Sequence, residues 1–255
     1  LPQRVTTAPE RPLMRGWNRR GPLIAFELSR YVAPGSLLTI AADTPTLRQE
    51  IEALVVSGSN LAVEYAIVDT THRPTLDSLD ITSYDHVLVL GYSDVMEPQP
   101  TDTHTLVTLL HLRRIAEQSE RHINVVSEMI DVRNRELAEA TRTDDFVVSN
   151  KLVSLMLAQA SENENLSAIF DALLDDHGPD ICMRPVEHYI EIDRPVSFFT
   201  VSEACRRRGE VAIGYVRRRA GETYARNMGG VVVNPQKSAA VSYATGDKLI
   251  VLARK

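Results

Sequence analysis

From Pro12 to Asn150, short apolar runs alternate with longer stretches whose apolar positions recur at helical spacing. Leu13–Gly16 reads as a strand and Gly21–Val32 as the helix after it, ended by Ala33-Pro34-Gly35. Leu37–Ala42 is a buried strand closing at Asp43, and Thr46–Val56 the next helix. Strands follow at Leu61–Val68, His86–Leu90, Ile123–Ser127 and Phe146–Ser149, with helices at Asp102–Ser119 and Asp131–Thr141 between the later ones. Continuous apolar strands interleaved with helices require a parallel sheet covered on both faces. Right-handed crossovers make that sheet doubly wound, the Rossmann-like arrangement.

The texture then changes. Lys151–Ala160 is apolar around most of its circumference, with Leu152, Val153, Leu155, Met156 and Leu157 clustered together. So greasy a helix is buried in its own domain or against another subunit. A second helix spans Leu166–Asp176, stopped by Gly178-Pro179. Beyond it the chain is strand-rich. Cys182–Ile192 alternates in places, Phe198–Arg207 fits a short helix, and strands are expected at Val211–Val216, Val231–Val233 and Lys248–Ala253. The resulting division is a connector over 1–12, a Rossmann-like lobe to 150, crossover helices over 151–178, and a small α+β lobe over 179–255.

Composition narrows the function classes. Apolar residues make up 44% and charged residues 24% of the 255, an ordinary globular balance. A formal charge of −6 gives no footprint for nucleic acid, and the runs Arg206–Arg208 and Arg217–Arg219 read as solvated surface clusters. No stretch reaches the ~18 apolar residues of a membrane span. The chain opens on Leu rather than Met, so a membrane part is expected upstream in a longer protein. Cys182 and Cys205 lack metal-binding spacing and read as reduced thiols.

One constellation has a chemical reading. Gly16-Trp17-Asn18-Arg19-Arg20-Gly21 follows the first strand and opens the first helix. A dinucleotide fingerprint places three glycines at this spacing: for the tight turn, for backbone approach to the pyrophosphate, and for close helix packing. Here Asn18 holds the middle place. Asp43 closes the second strand, where a ribose hydroxyl would be bound. Two readings stay open: a turn that kept its geometry and lost its nucleotide, which is preferred, or a site holding adenine nucleotide phosphates on Arg19 or Arg20.

Catalytic signatures are missing: neither a Gly-x-Ser-x-Gly elbow nor a His-Glu-x-x-His helix occurs. The seven histidines are scattered, and a non-enzymatic role is expected. Asp144, Asp145, Glu162, Glu164, Asp175 and Asp176 supply hard oxygen ligands suited to calcium if the fold gathers them, although a solvated acidic face is the simpler account.

Several segments together resemble the second cytosolic regulatory domain of Castor/Pollux-type ion channels. They are LMRGWNRR at 13–20, YVAPGSLLTI at 31–40, the run from Asp144 to Gly178 containing VVSNKLVS, ICMRPVEHYI at 181–190, FFTVSEACRRRGEVAIGY at 198–215, and VVVNPQKS at 231–238. The resemblance implies the regulator-of-conductance (RCK, TrkA-type) fold. It implies pairing through a crossover helix and the helix after it, homo-oligomeric assembly into a ring beneath a tetrameric pore, and a place at the cytoplasmic face of a membrane. It also implies a channel for cations, potassium or calcium, with calcium as a candidate regulatory ligand. Two rival readings are a soluble TrkA-like subunit of a potassium uptake system and a nicotinamide-dependent oxidoreductase.

Overall fold

The computed structural model describes residues 8–53, 60–119, 123–134, 137, 145–174, 178–217 and 230–254. The chain divides into two compact units, one through Gln159 and one from Ala160.

The first unit is built on six parallel strands: β1 (Pro12–Arg15), β2 (Ser36–Ala42), β3 (Leu61–Ile67), β4 (His86–Val89), β5 (Asn124–Met129) and β6 (Asp145–Val148). Their order is β3-β2-β1-β4-β5-β6. Helices α1 (Gly21–Tyr31), α2 (Leu47–Ala53), α3 (Arg73–Ser78), α4 (Pro98–Ser119) and α5 (Ser149–Glu162) accompany them. Successive strand side chains point to opposite faces, and β1 shows the consequence. Leu13 joins Val87, Val89, Leu109 and Leu112 on one face, while Met14 joins Leu38, Ile40, Trp17 and Leu47 on the other. The sheet is thus covered on both faces, as the continuous apolar strands require.

Differences from the sequence-based expectation have local causes. Helix α4 begins at Pro98 rather than Asp102 because Pro98 and Pro100 lie in its first turn, where a helix has unpaired N–H groups that proline does not carry. Of the helix expected over Asp131–Thr141, the described residues hold a 3-10 turn, Val132–Asn134, and a helical Leu137, and the remainder lies outside the described residues. Asp102, only 1% exposed, pins this segment: its carboxylate accepts from the backbone N–H groups of Ile130 (2.9 Å) and Asp131 (3.0 Å) and from Asn134 Nδ2 (2.8 Å). The short helix α3 went unpredicted.

Three bonds to one buried carboxylate have a measurable weight. Asp102→Ala is expected to cost about 2–4 kcal/mol, since its donors are left without their charged acceptor. Asp102→Asn should fall between, because its amide turns a donor toward a donor. Trp17 is the chain's single tryptophan and is 3% exposed in this unit, so its fluorescence during urea unfolding reads the loss.

The second unit contains α6 (Leu166–Leu174), β7 (Asp180–Pro185), β8 (Pro195–Ser197), α7 (Phe198–Arg206), β9 (Val211–Val216), β10 (Val231–Val233), β11 (Ala240–Ser242) and β12 (Lys248–Ala253). Antiparallel strands in the order β10-β9-β12-β7 form a four-stranded sheet, and β8 pairs with β11. That pair of three-residue strands is too short to leave a periodic trace. Ser197 caps α7 by accepting from the Thr200 N–H. Phe198, Val201, Cys205, Tyr215, Tyr243, Leu249 and Val251 make the core. The Arg206–Arg208 run is exposed and finds its partners on its own surface. Arg206 and Arg207 both pair with Glu203, at 2.7 and 3.0 Å. Arg208 lies over the Tyr189 ring and donates to the His188 carbonyl. Both cysteines are free, and burial pushes the Cys205 thiol up to about 11.

Candidate functional site

In an open parallel sheet, ligands bind beyond the carboxyl ends of the strands where the strand order reverses. Here that point lies between β1 and β4, which pair directly from Pro12↔His86 to Arg15↔Val89. The loop from Gly16 to Gly21 sits over it.

Its two glycines are required by close approaches. At Gly16, φ is +80° and a Cβ would fall 2.1 Å from the Leu90 carbonyl oxygen. At Gly21 a Cβ would fall 2.6 Å from the Trp17 ring. Trp17 is held in turn by its indole N–H, which donates to Glu50 Oε2 at 2.6 Å.

Asn18 is buried at 3% exposure and bridges the reversal point. Its Nδ2 donates to the Gly91 carbonyl (2.7 Å) after β4 and to Glu128 Oε2 (2.9 Å) in β5. Glu128 also pairs with Arg20 Nη2 at 2.6 Å and accepts from the Gly91 N–H at 3.3 Å. Arg20 Nη2 donates further to Ser93 Oγ at 3.2 Å. Arg19 is turned to Asp94, whose Oδ2 accepts its backbone N–H and whose Oδ1 lies 3.8 Å from Nε. Beside this network opens a cleft of ≈ 530 Å³ lined in part by Arg19, Arg20, Ser93, Asp94, Met96 and Ile130.

A second network, unread in the sequence, centres on Arg15. This arginine ends β1 at 1% exposure, donates to the Thr70 carbonyl, and among the described residues leaves its Nε without a partner. Burial pulls its pKa down to about 9, opposed by Tyr92 and Asp69, so it remains a cation at neutral pH. Tyr92 Oη lies 2.9 Å from Thr70 Oγ1 and accepts the Asp43 N–H at 3.0 Å. Asp43 therefore joins the site through its backbone, with its side chain exposed. The signal available in the sequence was an arginine placed between a buried strand and its glycine turn.

The acidic candidates are not gathered in what the structure describes. Glu162 ends α5 and Glu164 lies in the turn before α6, both exposed, and Asp145 begins β6. Asp144, Asp175 and Asp176 lie outside the described residues. Among the described residues no three His, Cys, Asp or Glu side chains form a group able to hold a metal ion. His104 meets Tyr92 edge-on at 6.3 Å. In α5, Leu152, Val153, Leu155 and Leu157 are 50–67% exposed, and Met156 is half-buried.

Across 96% of its length, in an alignment of 283 positions with gaps, the chain is 27% identical to a probable ion channel POLLUX of Oryza sativa subsp. japonica, covering 28% of that protein. The chain is homologous to part of the Castor and Pollux ion channels. The Arabidopsis thaliana POLLUX protein is 28% identical over 96% of the chain and 33% of its own length. Ion channel CASTOR of Lotus japonicus is 25% identical over 97% of the chain and 32% of its own. The chain thus spans about a third of the Castor and Pollux relatives it matches. No protein-family model matches it. The fold is that of the human SLO3 gating ring, with a TM-score of 0.62 at 10% identity, covering 95% of the chain and 44% of that structure.

Proposed function

We propose that this chain is a cytosolic gating module of a cation channel, a regulatory unit rather than an enzyme, which assembles with copies of itself and couples ligand binding to a pore carried elsewhere in the full protein. The reading is carried by its likeness to Castor and Pollux ion channels, which runs through both units of the chain.

The exposed aliphatic side chains of α5 support assembly. Four large aliphatic side chains at least half exposed are a liability on a lone domain. Covered by a second copy, each contributes about 0.8–2 kcal/mol, the share of full burial that its exposure leaves, offset by the entropy of association. Among the described residues no helix is long and apolar enough to cross a membrane.

Gating then follows from population shift. Assembled modules hold two or more arrangements, and a ligand favours one only by its difference in affinity between them. The effect is multiplied over the copies in a ring. Two tests apply. Light scattering of the 255-residue chain is expected to give at least the mass of two chains, and a strict monomer at high micromolar concentration would remove the assembly. Deleting this segment from the full-length protein is expected to abolish ligand-dependent current; regulation unchanged by the deletion would overturn the gating role.

A further inference from the structure

We propose that Glu128 is the resident anion of the Gly16–Gly21 turn, occupying the place where folds of this strand order hold a pyrophosphate, so that the turn takes no dinucleotide or adenine nucleotide. The inference rests on the hydrogen bonds of the turn and is independent of the channel reading.

A phosphate at such a turn is held by backbone N–H groups at the start of the helix and by nearby cations. In this chain three consecutive N–H groups there are already occupied. The Arg19 N–H donates to Asp94 Oδ2, the Arg20 N–H to Asn18 Oδ1 at 2.9 Å, and the Gly21 N–H to the Asn18 carbonyl at 2.8 Å. The cation is engaged as well through Arg20 Nη2, which lies 2.6 Å from Glu128 Oε1, while among the described residues its Nε is buried without a partner. Asn18 Nδ2 and the Gly91 N–H converge on Oε2 of the same carboxylate. Three donors from two loops therefore surround one buried anion, as they would surround a phosphate, and the anion belongs to β5. An incoming pyrophosphate would have to displace Glu128 and approach both it and Asp94 against like charge. Asn18, where a glycine would let a ligand reach the backbone, fills that space and turns its amide to the internal carboxylate instead.

The arrangement predicts rescue. Glu128→Ala leaves Arg20, Asn18 and Gly91 around an anion-sized gap. Thermal unfolding of the wild-type chain, followed by Trp17 fluorescence, is expected to be unmoved by millimolar NAD, ADP or inorganic phosphate. The Glu128→Ala chain should melt several degrees lower. It should regain part of that loss in acetate or formate, compared with chloride at equal ionic strength, by more than the wild type gains. Adding Arg20→Met should remove the rescue. A saturable rise of the wild-type melting temperature with NAD or ADP that vanishes in Arg20→Met would overturn the inference. So would a folded Glu128→Ala chain indifferent to carboxylate. If Glu128→Ala fails to fold, the wild-type nucleotide titration and its Arg20→Met control decide alone.

Discussion

Either Leu155→Asp or Leu157→Asp is expected to shift the assembled chain toward monomer while leaving its fold intact. Leu155 is 53% and Leu157 67% exposed, so neither substitution opens a core. Each removes about 0.8–2 kcal/mol of covered apolar surface per copy, the share of full burial that its exposure leaves. In a two-fold pair the change is made twice, which raises Kd by about one to three decades. A carboxylate trapped at the contact adds to the effect. The two positions are also informative against each other. Residues two apart on a helix lie about 200° apart at 3.6 residues per turn, so unequal effects identify the side that meets the partner. Sedimentation velocity reads the mass and circular dichroism the fold. Unchanged assembly in both variants would mean that α5 is not the contact.

Gly16→Ala is expected to be the most damaging small substitution in the first unit. The residue needs φ of +80°, and the added carbon would fall 2.1 Å from the Leu90 oxygen. The obstruction is backbone, so no side-chain rotation relieves it. Neither partner can withdraw easily. The Leu90 N–H donates to the Arg15 carbonyl at 2.8 Å and the Gly16 N–H to the Ala41 carbonyl at 2.9 Å, within the β2-β1-β4 ladder. Strain and overpacking together cost about 2–6 kcal/mol. Gly246→Ala is the control: its φ is +91° with nothing within 4 Å of the added carbon, so backbone strain alone remains, about 1–2 kcal/mol. Urea unfolding followed by Trp17 fluorescence and circular dichroism separates the two, because Trp17 reports on the first unit only. Equal costs at both positions would show that the Leu90 approach does not matter.

The network around Asn18 sets what any anion would meet at this turn. Arg19 and Arg20, the two cations a phosphate would seek, are turned to Asp94 and Glu128. The mouth of the sheet is closed by bonds that run from β1 to the ends of β4 and β5, and Asp43 contributes only its N–H, to Tyr92.

How much of this was legible beforehand depended on the range of the interactions. Periodicity and glycine placement are local, and from them alone the sequence determined the parallel Rossmann-like sheet, the strands at Val211–Val216 and Lys248–Ala253, the tight turn at Gly16, and an apolar helix at Lys151–Ala160. The partners of Asn18 lie 73 and 110 positions away, and those of Asp102 28 to 32 positions away. No spacing rule reaches across such gaps. A carboxylate in β5 and an asparagine after β1 meet because strand order sets their ends side by side, and burial then leaves each few partners but the other. Only the tertiary structure could decide that the anion at this turn is supplied by the protein.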